Sequence, residues 1–558
     1  MTKIWRTLFA LLLCAISVSA QELNPALLTK PATDSWPTYG GDYSGRRYST
    51  LNQINQSNVR SLTLAWVAHV TAGGGGAPNP MAALLGGLAE PPTVVGGEAD
   101  QPVAVASLGG LRISASILQV NGVLYVSAPD NAWAIDARDG TVLWHYFWKT
   151  KGGTHIGNRG MGMYGNWLYF ETPDDYLVSL DAKTGKERWH KVISDFNEQY
   201  FSTMAPIVIG NHLLVGTGDD LDAPGFLQSF DPETGDLQWK WYSEPEKIGD
   251  PGSETWPNLD AMRHGGGGVW VPGSYDPELH LYYFGTANPT PGYSGANRVG
   301  DNLYTSCLIA LNVDTGKMAW YFQPTPHDTH DWDAAQTPVI VDAMFKGKPR
   351  KLLLHADRNS YFFVLDRVTG ENLITVPFTT VANWATGVNK KGVPIENPAK
   401  EPTIPGSLVS LDGTNWPPPS YDPDTGLFYV SSTEAYSEFY LTEPDPKAVQ
   451  GLGGVQQQIV GSYGNSLIAI DYKTGKVVWK HQIATAGFGG STGLLTTAGR
   501  LLFGGANGNL IAYDPVDGKP LWHSRLGDVS DAPETYMLDG RQYVIVAGGD
   551  TVYAFSLQ

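Results

Sequence analysis

The chain has 558 residues, with 65 Gly, 38 Pro, 18 Trp and 27 Tyr but only 16% charged residues, a composition of short strands and tight turns rather than of helices. Its formal net charge of −18 argues against nucleic acid as a partner. Two cysteines, Cys14 and Cys307, exclude a disulfide scaffold or a thiolate zinc cluster, and without Cys-x-x-Cys-His no covalently attached haem is expected.

In chain order, the first segment reads as an export signal over residues 1–20. Lys3 and Arg6 give a basic start, Leu8 to Val18 is almost wholly apolar, and Ser19-Ala20 ends in small residues. Such a stretch is too short for a membrane span. The expectation is a single mature domain over 21–558, periplasmic or secreted.

A repeat follows. Asp-x-x-x-Gly-x-x-x-Trp occurs at Asp136/Gly140/Trp144, Asp181/Gly185/Trp189, Asp231/Gly235/Trp239, Asp471/Gly475/Trp479 and Asp514/Gly518/Trp522. Asn312/Gly316/Trp320 begins with Asn, and Asp366/Gly370 lacks the Trp. Each copy follows an apolar run, so it predicts a hairpin whose glycine takes a positive φ. Second hairpins upstream, such as Leu118 to Tyr125 and Ile207 to Leu214, complete four-stranded antiparallel units. The fold class is therefore all-β, a propeller of four-stranded blades. Seven copies mark seven blades. An eighth is assembled from the chain ends, Gln542 to Val546 and Thr551 to Phe555 pairing with Leu62 to Trp66, which removes exposed sheet edges. Eight blades is the reading, with seven if the ends stay apart. The repeat Trp residues are assigned to packing between blades. Insertions at about 73–110, 241–267, 375–415 and 437–461 interrupt the repeat and are expected to include loops over the mouth of the propeller.

Beyond the repeat, Trp36-Pro-Thr-Tyr-Gly-Gly-Asp42, Arg47-Tyr-Ser, Leu64-Ala-Trp66, Asn158-Arg-Gly160, Gly285-Thr-Ala-Asn-Pro289, His327-Asp-Thr-His-Asp-Trp-Asp333, Asp357-Arg-Asn359 and Asn415-Trp416 follow one another along nearly the whole mature chain. In that order they resemble the quinoprotein alcohol dehydrogenases. The resemblance implies eight blades around one pyrroloquinoline quinone (PQQ) and one Ca²⁺ or lanthanide ion. It also implies site residues. Asp220 (or its neighbour Asp219), Asn288 and Asp331 match the metal-binding positions, with Asp333 a further candidate; oxygen donors of this kind suit a hard cation. Trp270 matches the residue that stacks on the quinone. Arg159 and Arg358 match arginines at a cofactor carboxylate and at the reactive carbonyl, and Thr203 and Asn415 match smaller hydrogen-bonding positions. Asp331 is the expected general base, with Arg358 stabilising charge on the reduced quinone oxygen. His327 and His330 are assigned structural roles.

The chain departs from the family at several places. Gly153-Thr154 stand where many members carry adjacent cysteines joined over the quinone. Gly268 replaces a Thr, His330 a Trp, and Phe488 stands near a position that is often Trp. These changes put methanol specificity in doubt and point to a wider pocket. The implied activity is oxidation of an alcohol or sugar-type hydroxyl by hydride transfer to the metal-bound quinone. Electrons would pass to an external acceptor, a cytochrome c or a membrane quinone, and the enzyme could be a homodimer. The alternative from another class is a non-catalytic propeller scaffold in cell-envelope assembly, which has no reason to keep Asp220, Trp270, Asn288, Asp331 and Arg358 together; a third is a descendant that lost its cofactor.

Overall fold

A computed structural model describes residues 22–74, 91–103, 111–153, 157–198, 200–218, 221–442, 455–483 and 492–558. Each Asp-x-x-x-Gly copy forms the turn its chemistry requires. In the second copy the Gly185 N–H donates to the Asp181 carbonyl at 2.8 Å, and Asp181 Oδ1 accepts from the Lys183 and Thr184 N–H groups. Gly185 takes φ +66°, a conformation that glycine adopts without a Cβ penalty.

These turns join the third and fourth strands of successive antiparallel sheets. The first sheet pairs Leu118–Val120, Val123–Ala128, Asn131–Asp136 and Val142–Trp148 in order, with Thr93–Gly96 added parallel to the last. The second runs Gly162–Tyr164, Trp167–Glu171, Tyr176–Asp181 and Glu187–Val192. The same order repeats in a third sheet beginning at Ile207–Ile209, a fourth at Ser274–Asp276, a fifth at Val339–Phe345, a sixth at Ser420–Asp422 and a seventh at Leu495–Thr497. The last sheet joins the chain ends: Leu62–His69 pairs antiparallel with Thr551–Leu557, which continues to Arg541–Gly548 and Glu534–Leu538.

The fourth strand of a sheet is its most exposed. All of Val123–Ala128 is buried, whereas Leu237–Tyr242 and Pro520–Arg525 are partly or fully exposed. Inner strands are covered on both faces, which is why they read as apolar runs rather than as clean alternation. The core accordingly lies between neighbouring sheets, as where Leu118, Tyr125 and Trp144 meet Leu168, Phe170 and Val178.

The repeat Trp residues make the joints. Trp144 Nε1 donates to the Ala182 carbonyl at 3.0 Å, in the turn of the next sheet. Trp66 to Ala137, Trp189 to Glu233, Trp239 to Val313, Trp320 to Arg367 and Trp479 to Pro515 repeat the bond from sheet to sheet. Where the fifth sheet lacks its Trp, Ile374 and Val376 press on Gly475 instead. Trp522 donates to the Leu62 carbonyl, in the sheet that holds Trp66.

The insertions carry structure of their own. Ala385–Val388 and Pro394–Glu396 form a two-stranded sheet, and Ser407–Ser410 joins the sixth sheet. That sheet also contains two long strands, Leu427–Leu441 and Val455–Asp471. The segment 241–267 contains a short helix, Leu259–Arg263. Among the described residues no helix is long and apolar enough to cross a membrane.

A Cβ at position 185 would lie 2.7 Å from the Trp144 ring, whereas Gly210, also at positive φ, has nothing within 4 Å. Gly185→Ala should therefore cost roughly 2–4 kcal/mol of unfolding free energy, from backbone strain plus overpacking. Gly210→Ala should cost about 1 kcal/mol from backbone strain alone. Denaturant melts of the two variants measure the difference.

Candidate functional site

The residues singled out from sequence gather where each sheet begins. Arg159 precedes Gly162–Tyr164, Thr203 precedes Ile207–Ile209, Trp270 precedes Ser274–Asp276, Asp331 and Asp333 precede Val339–Phe345, and Asn415 precedes Ser420–Asp422. Bonds between these entry segments fix their spacing. Ser116 N–H donates to the Arg159 carbonyl at 3.0 Å, Arg159 N–H to the Thr203 carbonyl at 3.1 Å, and Ala334 N–H to the Thr286 carbonyl at 3.1 Å. Thr203 Oγ1 lies 3.5 Å from the Trp270 carbonyl.

At the centre is Arg358, in the turn between the second and third strands of the fifth sheet. Its guanidinium donates to Asp333 Oδ2 at 2.5 Å and Asp331 Oδ2 at 3.2 Å, and lies 3.0 Å from Asp412 Oδ2. Asp333 is fully buried and satisfied on both oxygens: Oδ1 accepts from the Asn288 N–H at 2.6 Å, and Oδ2 accepts also from Trp270 Nε1 at 3.1 Å. One carboxylate thus aligns the Trp270 ring, the Asn288 backbone and Arg358. Burial pushes the Asp333 and Asp412 carboxyls up, and Arg358 opposes that rise in both. Asp412 also accepts from Asn415 Nδ2 at 3.1 Å.

Asp331 is the more open acid, with 17% of its side chain exposed against 0% for Asp333. It sits at φ +62°, a left-handed conformation that Asp tolerates better than most residues. Asp328 over-determines it, its carboxylate accepting from the N–H groups of His330 and Trp332 on either side. His327 and His330 direct ring nitrogens at backbone carbonyls, of Gly300 and Lys400, in keeping with structural roles.

Arg159 and Trp270 share a face. The Arg159 guanidinium carbon is 4.3 Å from the Trp270 ring centroid and 5.2 Å from that of Trp416, a cation–π arrangement. The amide oxygen of Asn288 is buried and has no hydrogen-bond partner, while its Nδ2 donates to the Pro289 carbonyl. A buried amide oxygen without a donor beside carboxylates fits a hard-cation ligand. Asp219, Asp220, Thr154 and Phe488 lie outside the described residues. Among the described residues no group of three His, Cys, Asp or Glu side chains is arranged to hold a metal; Asp331, Asp333 and Asp412 converge on the guanidinium instead.

Two of the departures have a steric origin. A Cβ at 268 would lie 1.8 Å from the Gly218 carbonyl oxygen, and one at 153 would lie 2.2 Å from that of Pro173. Neither a Thr at the first position nor a Cys at the second fits this backbone. Sequence reasoning missed Asp412 and Tyr293, whose hydroxyl is 3.5 Å from Asp331 Oδ2. Asp412 lies three residues before Asn415 and carried no other signal.

The family model described as "PQQ: Glucose/ethanol/alcohol dehydrogenase, beta-propeller domain" matches residues 36–391. The chain belongs to the PQQ-dependent dehydrogenase family. It is 34% identical to the quinoprotein alcohol dehydrogenase PedH of Pseudomonas putida, over 92% of this chain and 85% of that protein. It is also 34% identical to the quinohemoprotein alcohol dehydrogenase of Comamonas testosteroni, over 93% of this chain and 73% of that protein. The crystal structure of the Comamonas testosteroni quinohemoprotein superposes with a TM-score of 0.82 at 30% identity, covering 96% of this chain and 83% of that one. A europium-containing methanol dehydrogenase gives 0.80 at 27% identity, covering 96% and 99%. A second model, described as "Outer membrane protein assembly factor BamB", matches residues 456–558. The family is thus shown, and the all-β sheets are those of its β-propeller.

Arg358 neutralises buried acids, so Arg358→Met should destabilise the protein by about 3–5 kcal/mol at neutral pH. The loss should shrink toward acid pH. Without the cation, the buried carboxyls of the folded variant hold protons that the unfolded chain releases, so stability falls as pH rises above the ordinary carboxylate range. Denaturant melts at pH 5 and pH 8 test this.

Proposed function

We propose that this protein is an eight-bladed PQQ-dependent dehydrogenase that oxidises alcohols. The observation that carries the activity is the partly exposed Asp331 carboxylate, held by Arg358 beside Trp270 and the unpartnered Asn288 oxygen. The eight-blade reading is supported by the run of Trp-to-carbonyl bonds whose last member, Trp522 to Leu62, returns to the sheet of Trp66.

Trp270, its Nε1 tied to Asp333, offers its ring to a planar cofactor, and Arg159 and Thr203 flank it as partners for cofactor carboxylates. Asn288 and Asp331 would hold the cation, joined by Asp220; Asp333, its oxygens already engaged, supports this group from behind. When bound, the quinone supplies a two-electron oxidant and the cation supplies Lewis acidity. Asp331 takes the substrate hydroxyl proton, and Arg358 orients that carboxylate for the transfer. Asn415, bonded to Asp412, completes the donor set.

The finer reading keeps the alcohol or sugar-type hydroxyl as substrate, Ca²⁺ or a lanthanide as the ion, and a cytochrome c or membrane quinone as the electron acceptor. The export-type start over residues 1–20 supports a periplasmic or secreted protein. The match of residues 456–558 favours the envelope-assembly scaffold. A scaffold, however, has no use for three acids gathered on one guanidinium beside a tethered Trp. Reconstitution with PQQ and Ca²⁺ or a lanthanide should give dye reduction with alcohols. Asp331→Asn should lower kcat by roughly 10²–10⁴-fold, the range of a lost general base, while still binding quinone. Failure to bind quinone with any metal would favour the scaffold.

A further inference from the structure

Behind Asp331 stands a residue that no motif brought forward. Trp384 lies in the insertion of residues 375–415 and is buried, with 2% of its surface exposed. Its indole Nε1 donates to the Asn359 carbonyl at 2.7 Å, and its ring packs on Trp332 at 5.0 Å between centroids. Asn359 follows Arg358 in the chain, and Trp332 follows Asp331. One side chain thus touches the neighbour of the base and the neighbour of its arginine.

Both partners are held in turn. Trp332 stacks on His330 at 4.4 Å, and its N–H donates to Asp328 Oδ2 at 2.7 Å. His330 Nε2 donates to the Lys400 carbonyl at 2.9 Å, and Thr329 Oγ1 donates to Glu401 Oε2 at 2.6 Å. On the other side Asn359 Nδ2 donates to Thr325 Oγ1 at 2.9 Å. The turn that carries Asp331 therefore rests on a buried stack of His330, Trp332 and Trp384. The Asp331–Arg358 contact does not set its own geometry. It is one 3.2 Å bond to a carboxylate that is 17% exposed, and an ion pair open to water contributes about 1 kcal/mol or less. Asp333 joins this turn to the guanidinium at one end. Trp384 is a second point of attachment, and two points are needed to stop the turn from pivoting.

We propose that Trp384 is a positioning residue, holding Asp331 at its working separation from Arg358 through Trp332 and Asn359. The inference rests on the dehydrogenase reading with Asp331 as base. A base must sit within hydrogen-bond reach of the proton it takes, and a displacement of about 1 Å costs on the order of 10²-fold in rate. The indole suits the task because one rigid side chain offers a broad face to Trp332 and a donor at its edge to Asn359.

The test uses holoenzyme reconstituted with PQQ and metal, comparing wild type, Trp384→Phe and Trp144→Phe. Phe at position 384 keeps a ring against Trp332 but has no N–H for Asn359. Trp144→Phe removes the same kind of bond, from Nε1 to the Ala182 carbonyl, at a joint between sheets, and so reports the effect of lost stability alone. The readouts are quinone bound per chain by absorbance, melting temperature, and the single-turnover rate of quinone reduction at rising 1-butanol. Trp384→Phe should lower the saturating rate by about tenfold or more, with the half-saturating alcohol concentration and the quinone content retained. Trp144→Phe should keep the wild-type rate. Should Trp384→Phe not fold, Trp384→Met, which fills the space without a donor, carries the same expectation. An unchanged rate in the variant at 384, an equal rate loss in Trp144→Phe, or a loss that only follows lost quinone overturns the inference. The dehydrogenase reading then still stands, provided wild type reduces its quinone with alcohol and Asp331→Asn does not. A quinone-loaded wild type that oxidises no alcohol overturns both.

Discussion

Three carboxylates share one guanidinium. Asp331, Asp333 and Asp412 come from two loops, and Arg358 from a turn between them in the chain. Burying acids together is unfavourable unless a cation and hydrogen bonds compensate, and here Arg358 compensates all of them. The rest of the site depends on that arrangement. Asp333, paired with Arg358, is free to orient Trp270 and the Asn288 backbone, and Asp412 holds Asn415. The result divides labour among like residues: the fully buried acid organises its neighbours, and Asp331 keeps part of its side chain exposed.

Close backbone approach sets the shape around this centre. Gly268 lies against the Gly218 carbonyl and Gly153 against that of Pro173, so a side chain at either position has no room. Glycine at position 153 is thus tied to the local backbone path. On the other side, Arg298 and Asp328 lock the loops of Tyr293 and Asp331 to each other through backbone groups. Entry segments of irregular structure are held in place by polar bonds because they have few strand neighbours to restrain them.

The scaffold is cheaper in information. One nine-residue pattern provides the turn, through Asp and Gly, and the joint to the next sheet, through Trp. The ring nitrogen donates to a carbonyl of the neighbouring turn, so a large apolar group is buried with its polar atom satisfied. Where the pattern fails, at Asp366/Gly370, aliphatic side chains fill the same space against Gly475. The joint tolerates that replacement because it is packing, whereas Arg358 admits no equivalent.

The sequence by itself determined the all-β class, the repeated hairpins, the pairing of the chain ends and the family, because these rest on local turn chemistry, on periodicity and on motifs in a particular order. It also pointed to Arg159, Trp270, Asn288, Asp331, Asp333 and Arg358, which the fold brings to one place. Only the tertiary structure decided what each does to the others. That Asp333 spends both oxygens on protein donors, that Asp412 joins the cluster, and that Tyr293 faces Asp331 are facts about residues distant in the chain. Each depends on where sheets stack and how closely backbones approach, and those distances are set by packing across the whole propeller, which no local stretch of residues encodes.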